Sequence, residues 1–286
     1  MKGRRVETQK KNSHHVSLNM SKALQRIVLL ILLAPLTPAF AASASDWHME
    51  PMDPDLQNLP SLQNGWRLYV NYCLGCHSLA YQRYERTADD LGVPHDIALE
   101  QLVFTGQKIG EQMTTAMQPD LAKQWFGAPP PDLTMVARLK NEGPAWIYNY
   151  LKTFYRDESR PFGVNNKVFP NVGMPHVLED LQGVQRSACL QMPKLAANGG
   201  EQRDPLSGAP ITEERCGELV VDEGTGRFST EEFDQAAYDI ANFLYYVGEP
   251  SRLERHRTGM FVLLFLVILF VFTYLLGREF QKDVKH

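Results

Sequence analysis

Two thiols and an imidazole stand within five consecutive positions, Cys73-Leu74-Gly75-Cys76-His77. Thiols at i and i+3 leave one side of a helical turn at the separation of the two vinyl groups on one porphyrin edge, and a histidine directly after the second thiol falls beneath the metal. The motif therefore predicts one covalently attached haem c, with thioethers from Cys73 and Cys76 and with His77 as an axial iron ligand. Two other uses of a Cys-x-x-Cys pair fit less well. A dithiol redox site wants a thioredoxin-like strand and helix around it, and structural zinc wants two further ligands at short spacing.

A second axial ligand would close the iron to substrate and leave one-electron transfer as its chemistry, and a thioether in that place raises the potential. The candidate methionines after the motif are Met113, Met117, Met135, Met174 and Met192. Met174 is the best placed, because Gly173 and Pro175 fix a loop backbone that can approach a porphyrin closely. The others stand in helical or apolar contexts, where methionine usually fills gaps. His95 and His176 remain rival ligands. A haem with an open sixth position, as in an enzyme or a gas-binding cytochrome, is the competing reading.

These residues need elements to position them. Leu62, Trp66, Tyr69 and Cys73 recur at helical spacing and predict a helix from Leu62 into the motif at Cys76. Residues 89–135 mix short helices with loops, and Pro129-Pro130-Pro131 ends any helix there. Trp146, Tyr150 and Phe154 predict a helix from Trp146 to Tyr155 with an aromatic face. Residues 157–176 read as an ordered loop and 194–228 as a second loop or small insertion. Thr230 to Val247 is the clearest helix. Ser229 and Glu232 have capping-box spacing, Phe233, Ala236, Ala237, Ile240, Phe243, Leu244 and Val247 form one stripe, and Gly248-Glu249-Pro250 stops it. There is no internal repeat and no second haem motif.

The chain has 286 residues, a net charge of -4 and four cysteines. That excludes a disulfide-rich scaffold, and no basic run points to nucleic acid. Residues 1–44 read as a leader and signal peptide. Lys22 and Arg26 precede an apolar Ile27–Leu33, small residues near 41–44 offer a cleavage site, and Met20 could be the true start. Thr258 to Gly277 is uncharged, and its twenty residues cover about 30 Å as a helix, the thickness of a bilayer core. Arg252, Arg255 and Arg257 flank one end and Arg278, Lys282 and Lys285 the other. Charge therefore does not orient the span, but an export signal does. The expected plan is an exported domain at 45–250, a linker at 251–257, a membrane helix at 258–277 and a cytoplasmic tail at 278–286.

On these residues the chain resembles the cytochrome c1 family, the haem subunits of cytochrome bc1 complexes. The match runs through Gly65-Trp66-Arg67-Leu68-Tyr69, the haem motif with Ser78 and Leu79, Pro130-Pro131-Asp132-Leu133-Thr134, and Phe169-Pro170-Asn171-Val172-Gly173-Met174-Pro175. It continues in Phe243 to Pro250 and the single C-terminal anchor. The resemblance implies a mainly α fold, a cytochrome c-like haem domain with long loop insertions and one C-terminal transmembrane helix, whose haem-bearing and last soluble helices cross near the haem edge. It implies His77 and Met174 as fifth and sixth ligands, and a basic residue after Pro-Pro-Asp-Leu, Lys140 or Arg138, on a haem propionate. It implies an electron-transfer subunit of a respiratory quinol–cytochrome c reductase whose quinol chemistry lies in other subunits. It implies that one electron passes from a Rieske iron–sulfur protein to a soluble c-type cytochrome, beside cytochrome b in a dimeric complex of the bacterial inner membrane, with the haem domain in the periplasm.

Cys189 and Cys216 lie in an insertion, 183–228, that departs from the family pattern. In an oxidising compartment they are expected to pair, contributing about 3.5 kcal/mol in the chain-entropy account. Residues 201–234 carry ten acidic and three basic side chains. Such a surface could steer a basic acceptor, although a charge run is more often a solvated face.

Overall fold

The computed structural model describes residues 47–195 and 200–283. The leader and signal reading, residues 1–44, lies outside them. In chain order the elements are α1 (Leu59–Tyr72), β1 (Leu79–Arg83), α2 (Tyr84–Leu91), α3 (His95–Leu102), β2 (Gln112–Met113), α4 (Pro119–Phe126), α5 (Val136–Leu139) and α6 (Pro144–Lys152). There follow β3 (Phe154–Arg156), β4 (Val164–Asn166), α7 (Glu179–Gln182), β5 (Gln185–Pro193), β6 (Thr212–Val221), α8 (Thr230–Gly248) and α9 (Arg252–Asp283). Helices dominate, and the strands form three separate antiparallel pairs, β1–β2, β3–β4 and β5–β6.

The core is the crossing of α1 with α8. Leu62, Trp66 and Tyr69 from α1 and Ile240, Phe243, Leu244 and Val247 from α8 are all buried, each contributing roughly 1.5–3 kcal/mol on burial. The helices touch backbone to backbone at Gly65, where a Cβ would lie 2.1 Å from the Asp239 carbonyl oxygen and 2.7 Å from Phe243 Cβ. Asp239 itself is buried. Its carboxylate accepts from Ser61 Oγ (2.6 Å), Asn64 Nδ2 (2.6 Å) and Gln235 Nε2 (2.8 Å), so it is satisfied by neutral donors, as a buried polar group must be.

The helix starts follow the local chemistry. In α8 the expected capping box forms: Ser229 Oγ accepts from Glu232 N at 3.2 Å, and Ser229 N donates to Glu232 Oε2 at 2.8 Å. Ser229→Ala is expected to cost about 1 kcal/mol. The melting temperature should then fall by roughly 2–4 °C, read by circular dichroism of the full chain. In α1 the cap is Asn58, which accepts from Ser61 N at 3.2 Å.

Four boundaries differ from the sequence expectation. Helix α1 ends at Tyr72, and the motif forms a separate turn in which Cys76 N and His77 N both bond Cys73 O, at 3.0 and 2.8 Å. Helix α6 stops at Lys152, and Phe154 begins β3, which pairs with β4. Inside the expected loop 194–228, Thr212–Val221 is the return strand of a hairpin, with Gln185 facing Val221 and Pro193 facing Thr212 and an irregularity after Ala188. The expected linker 251–257 is helical from Arg252 onward.

Helix α9 has 32 residues, and its most apolar stretch has a mean hydropathy of 2.8 with none of it buried. It is long and apolar enough to cross a membrane.

Candidate haem site

One large cavity, about 420 Å³, is lined by Cys73, Cys76, His77 and Met174 together. The wall is otherwise apolar and aromatic, with Trp146, Tyr150, Phe169, Ile240 and Leu244 among its residues. The cavity falls in the size range of cofactor sites.

The His77 side of the site is built by backbone anchors. The turn after α1 presents His77, whose backbone oxygen accepts from the buried Tyr69 hydroxyl at 2.6 Å. Its Nδ1 lies 2.7 Å from the Pro131 carbonyl oxygen. A carbonyl only accepts, so Nδ1 carries the proton and Nε2 keeps its lone pair. Asp132 holds Pro131 in place: one carboxylate oxygen accepts from Ala80 N (2.7 Å) and the other from Thr134 N (2.9 Å). Leu133 N donates to Ser78 O at 2.9 Å and Thr115 Oγ1 to Gly75 O at 2.8 Å. Burial pushes the His77 pKa down, against the Pro131 bond and the Asp132 charge, and so favours the neutral imidazole that a metal needs. Burial likewise pushes the Cys73 thiol up to about 12, with a smaller contribution from Cys76.

Met174 is positioned by the loop after β4. Two asparagines build it. Asn166 Oδ1 accepts from Val168 N (2.9 Å) and Phe169 N (3.0 Å), and its Nδ2 donates to Tyr150 O (2.8 Å). Asn165 Oδ1 accepts from Asn171 N at 2.8 Å, where Asn171 takes a left-handed φ of 64° that asparagine tolerates. The Tyr150 hydroxyl donates to Met174 Sδ at 3.3 Å. Among the described residues Met174 is the cavity's one methionine; Met113, Met135 and Met192 do not line it, and Met117 lines a smaller neighbouring pocket. His95 lies elsewhere, with Nε2 2.8 Å from Asp89 Oδ1.

The two basic candidates separate. Lys140 lines the cavity and is its one formally charged residue among those described, with Nζ 3.9 Å from the Trp146 ring centroid. Arg138 does not line it and runs its aliphatic stem past Gly248. Cys189 and Cys216 are disulfide-bonded across the β5–β6 hairpin, away from the cavity wall. In that hairpin Arg186 pairs with Asp222 and Arg203 with Glu201.

Sequence reasoning missed Tyr150 as a donor, Asn165 and Asn166 as loop builders, and Asp132 as the anchor of Pro131. The last had a visible signal, a carboxylate directly after the triple proline.

A lone-pair nitrogen fixed by its tautomer, two free thiols, a thioether, an apolar wall and one cation suit a flat apolar macrocycle bearing acidic groups. This is the arrangement of a c-type haem domain. The sequence matches the Cytochrome C1 family over residues 55–200 and 217–284. It is 47% identical over 264 residues to cytochrome c1 of Allochromatium vinosum, covering 91% of this chain and 100% of that one. It is 36% identical to the ammonia monooxygenase gamma subunit of Nitrosomonas europaea, over 91% and 99%. It is 24% identical to cytochrome b/c1 of Bradyrhizobium diazoefficiens, over 78% of this chain and 33% of that one. The chain belongs to the cytochrome c1 family, and membership implies a c-type haem and electron transfer.

Proposed function

We propose that this chain is the haem-bearing electron-transfer subunit of a bc1 complex, working beside cytochrome b in the membrane. The observation that carries the reading is the convergence of Cys73, Cys76, His77 and Met174 on one apolar cavity. The relative named cytochrome b/c1 supports the assembly.

A covalently held c-type haem supplies a one-electron Fe(II)/Fe(III) couple in this cavity. Cys73 and Cys76 would hold the group through thioethers, each thiol S–H adding across a vinyl C=C to give one C–S and one C–H bond. His77, through Nε2, and Met174, through its sulfur, would hold the iron. Lys140 meets a propionate; Arg138, outside the wall, is the weaker candidate for that role. The cavity's apolar wall excludes water and so favours the less charged iron state. The electron relay itself needs no side chain as acid or base. The electron arrives from a Rieske iron–sulfur protein and leaves to a soluble c-type cytochrome. Helix α9 anchors the domain on the periplasmic side of the inner membrane, with the tail in the cytoplasm and the complex dimeric.

The test is purification of the native assembly. Cytochrome b and a Rieske subunit should co-purify, and the denatured chain should retain one haem by mass. A haem lost on denaturation would refute the thioethers, and absence of both partners would refute the complex.

Tyr150 gives a finer test. Its hydroxyl draws density from the Met174 sulfur, which weakens the ligand to Fe(III) more than to Fe(II). Losing one hydrogen bond is worth about 1 kcal/mol. Tyr150→Phe should therefore lower the midpoint potential by about 40 mV for a one-electron couple. Potentiometric titration checks this, and an unchanged potential removes Tyr150 from the account.

A further inference from the structure

His176 sits two residues beyond Met174 on the same loop, and imidazole is the commonest biological metal ligand. Yet it does not line the cavity, while Pro175 and Val177 on either side of it do. Its ring lies flat against Phe154, with centroids 4.8 Å apart and planes within 2°. Phe154 is also outside the cavity wall and meets Tyr150 edge-on at 5.1 Å. The imidazole therefore lies behind Tyr150, the residue that touches the Met174 sulfur.

What holds it there is Gln182. His176 Nε2 is 2.7 Å from Gln182 Oε1. The orientation of that amide is fixed, because its nitrogen donates to Lys152 O (3.0 Å) and to Gln185 Oε1 (3.2 Å). Gln185 is anchored in turn on Lys152 O (2.9 Å) and Phe154 O (2.6 Å). The oxygen of Gln182 must then face the ring, and Nε2 must carry its proton rather than a lone pair. Both glutamines are 7% exposed, so water has little access to substitute for either bond.

We propose that Gln182 is a positioning residue that selects the sixth iron ligand: by holding the His176 Nε2–H and pinning the ring on Phe154, it keeps imidazole off the iron and leaves the place to Met174. This rests on the reading of Met174 as sixth ligand. A thioether raises the potential relative to a second imidazole, so a clamp that excludes His176 also keeps the couple oxidising.

The experiment uses the full chain with haem attached, purified in detergent, and compares Met174→Ala with Met174→Ala/Gln182→Leu. With Gln182 intact, Met174→Ala should leave the sixth position open, high-spin when oxidised and binding carbon monoxide when reduced. In the double variant His176 is released. The spectrum should become low-spin bis-histidine, carbon monoxide binding should be lost and the potential should fall. Adding His176→Ala should reopen the site. Met174→Ala/Gln182→Glu keeps the acceptor and should stay open, a rescue that a purely structural role would not give. A bis-histidine spectrum in Met174→Ala alone, or a site that stays open in the double variant, overturns the proposal while leaving the Met174 reading intact. An unchanged thioether-type spectrum in Met174→Ala overturns that reading instead. If the double variant fails to fold, Met174→Ala and its Gln182→Glu partner still decide, since closure of either by His176 contradicts the clamp.

Discussion

Met174→Leu should lower the midpoint potential by on the order of 0.1–0.3 V, a fraction of the range of about 0.8 V that axial ligands span. Leucine has nearly the volume of methionine, so the cavity wall is kept and the change is confined to the loss of the sulfur. A thioether favours Fe(II), and its removal withdraws that preference. The reduced variant should also bind carbon monoxide, because among the described residues the cavity wall holds no other methionine and no histidine besides His77. Potentiometric titration and a carbon monoxide difference spectrum read the two effects. A potential equal to that of the unaltered chain would mean that Met174 is not a ligand. The expected shift is several times that of Tyr150→Phe, and the ordering of the two is itself a check: the hydroxyl acts only through the sulfur, so it should have no effect once Met174 is gone.

The largest stability effect is expected at Gly65. A methyl group there would sit 2.1 Å from the Asp239 carbonyl oxygen, and that atom belongs to helix backbone, which cannot turn aside. The α1–α8 crossing must open for Gly65→Ala to fit. We expect a cost of about 3 kcal/mol, the upper end of overpacking penalties, and a melting temperature lower by roughly 6–12 °C. Separation of the helices also loosens Tyr69, whose ring packs 5.8 Å from Phe243 and whose hydroxyl holds the His77 backbone. The haem spectrum should then change at a lower temperature than in the parent. Gly75 provides the control, since a Cβ there meets nothing within 4 Å. Equal melting temperatures for Gly65→Ala and the parent would refute the close crossing.

The parts of this molecule that were legible in the sequence are those whose cause is local. The capping box at Ser229 and Glu232 and the apolar stripe of α8 are written in one helix and form as read. Cys73, Cys76 and His77 stand within five residues, Met174 is flanked by Gly173 and Pro175, and all four line one cavity. What escaped was set by distant partners. The β5–β6 hairpin has little alternation to reveal it: glutamates at 213, 214 and 218 interrupt β6, and the strands that pair are separated by residues 194–211. The aromatic spacing of Trp146, Tyr150 and Phe154 suggested one continuous helix. The chain leaves the helix at Thr153, yet Phe154 still packs on Tyr150 from β3, so the spacing reflects a shared contact rather than a shared element. Tyr150 as donor to Met174, Asn166 as acceptor for Phe169 N and Gln182 as partner of His176 have no signature in the sequence, because each is a side-chain role created by tertiary packing.

The junction between α8 and α9 sets how the redox centre is carried. Only residues 249–251 separate the two helices, and Glu249, mostly buried, is ion-paired with both Arg252 and Arg255, while Arg252 also covers the Tyr245 ring. Helix α9 is about 48 Å long at the α-helical rise, against about 30 Å for the apolar stretch 258–277. Six helical residues, about 9 Å, therefore stand above the hydrocarbon before the domain begins. With the membrane reading, the centre rides on a short braced mast rather than a leash. Its standoff from the bilayer would then be set by those six residues and by the Glu249 ion pairs at their base.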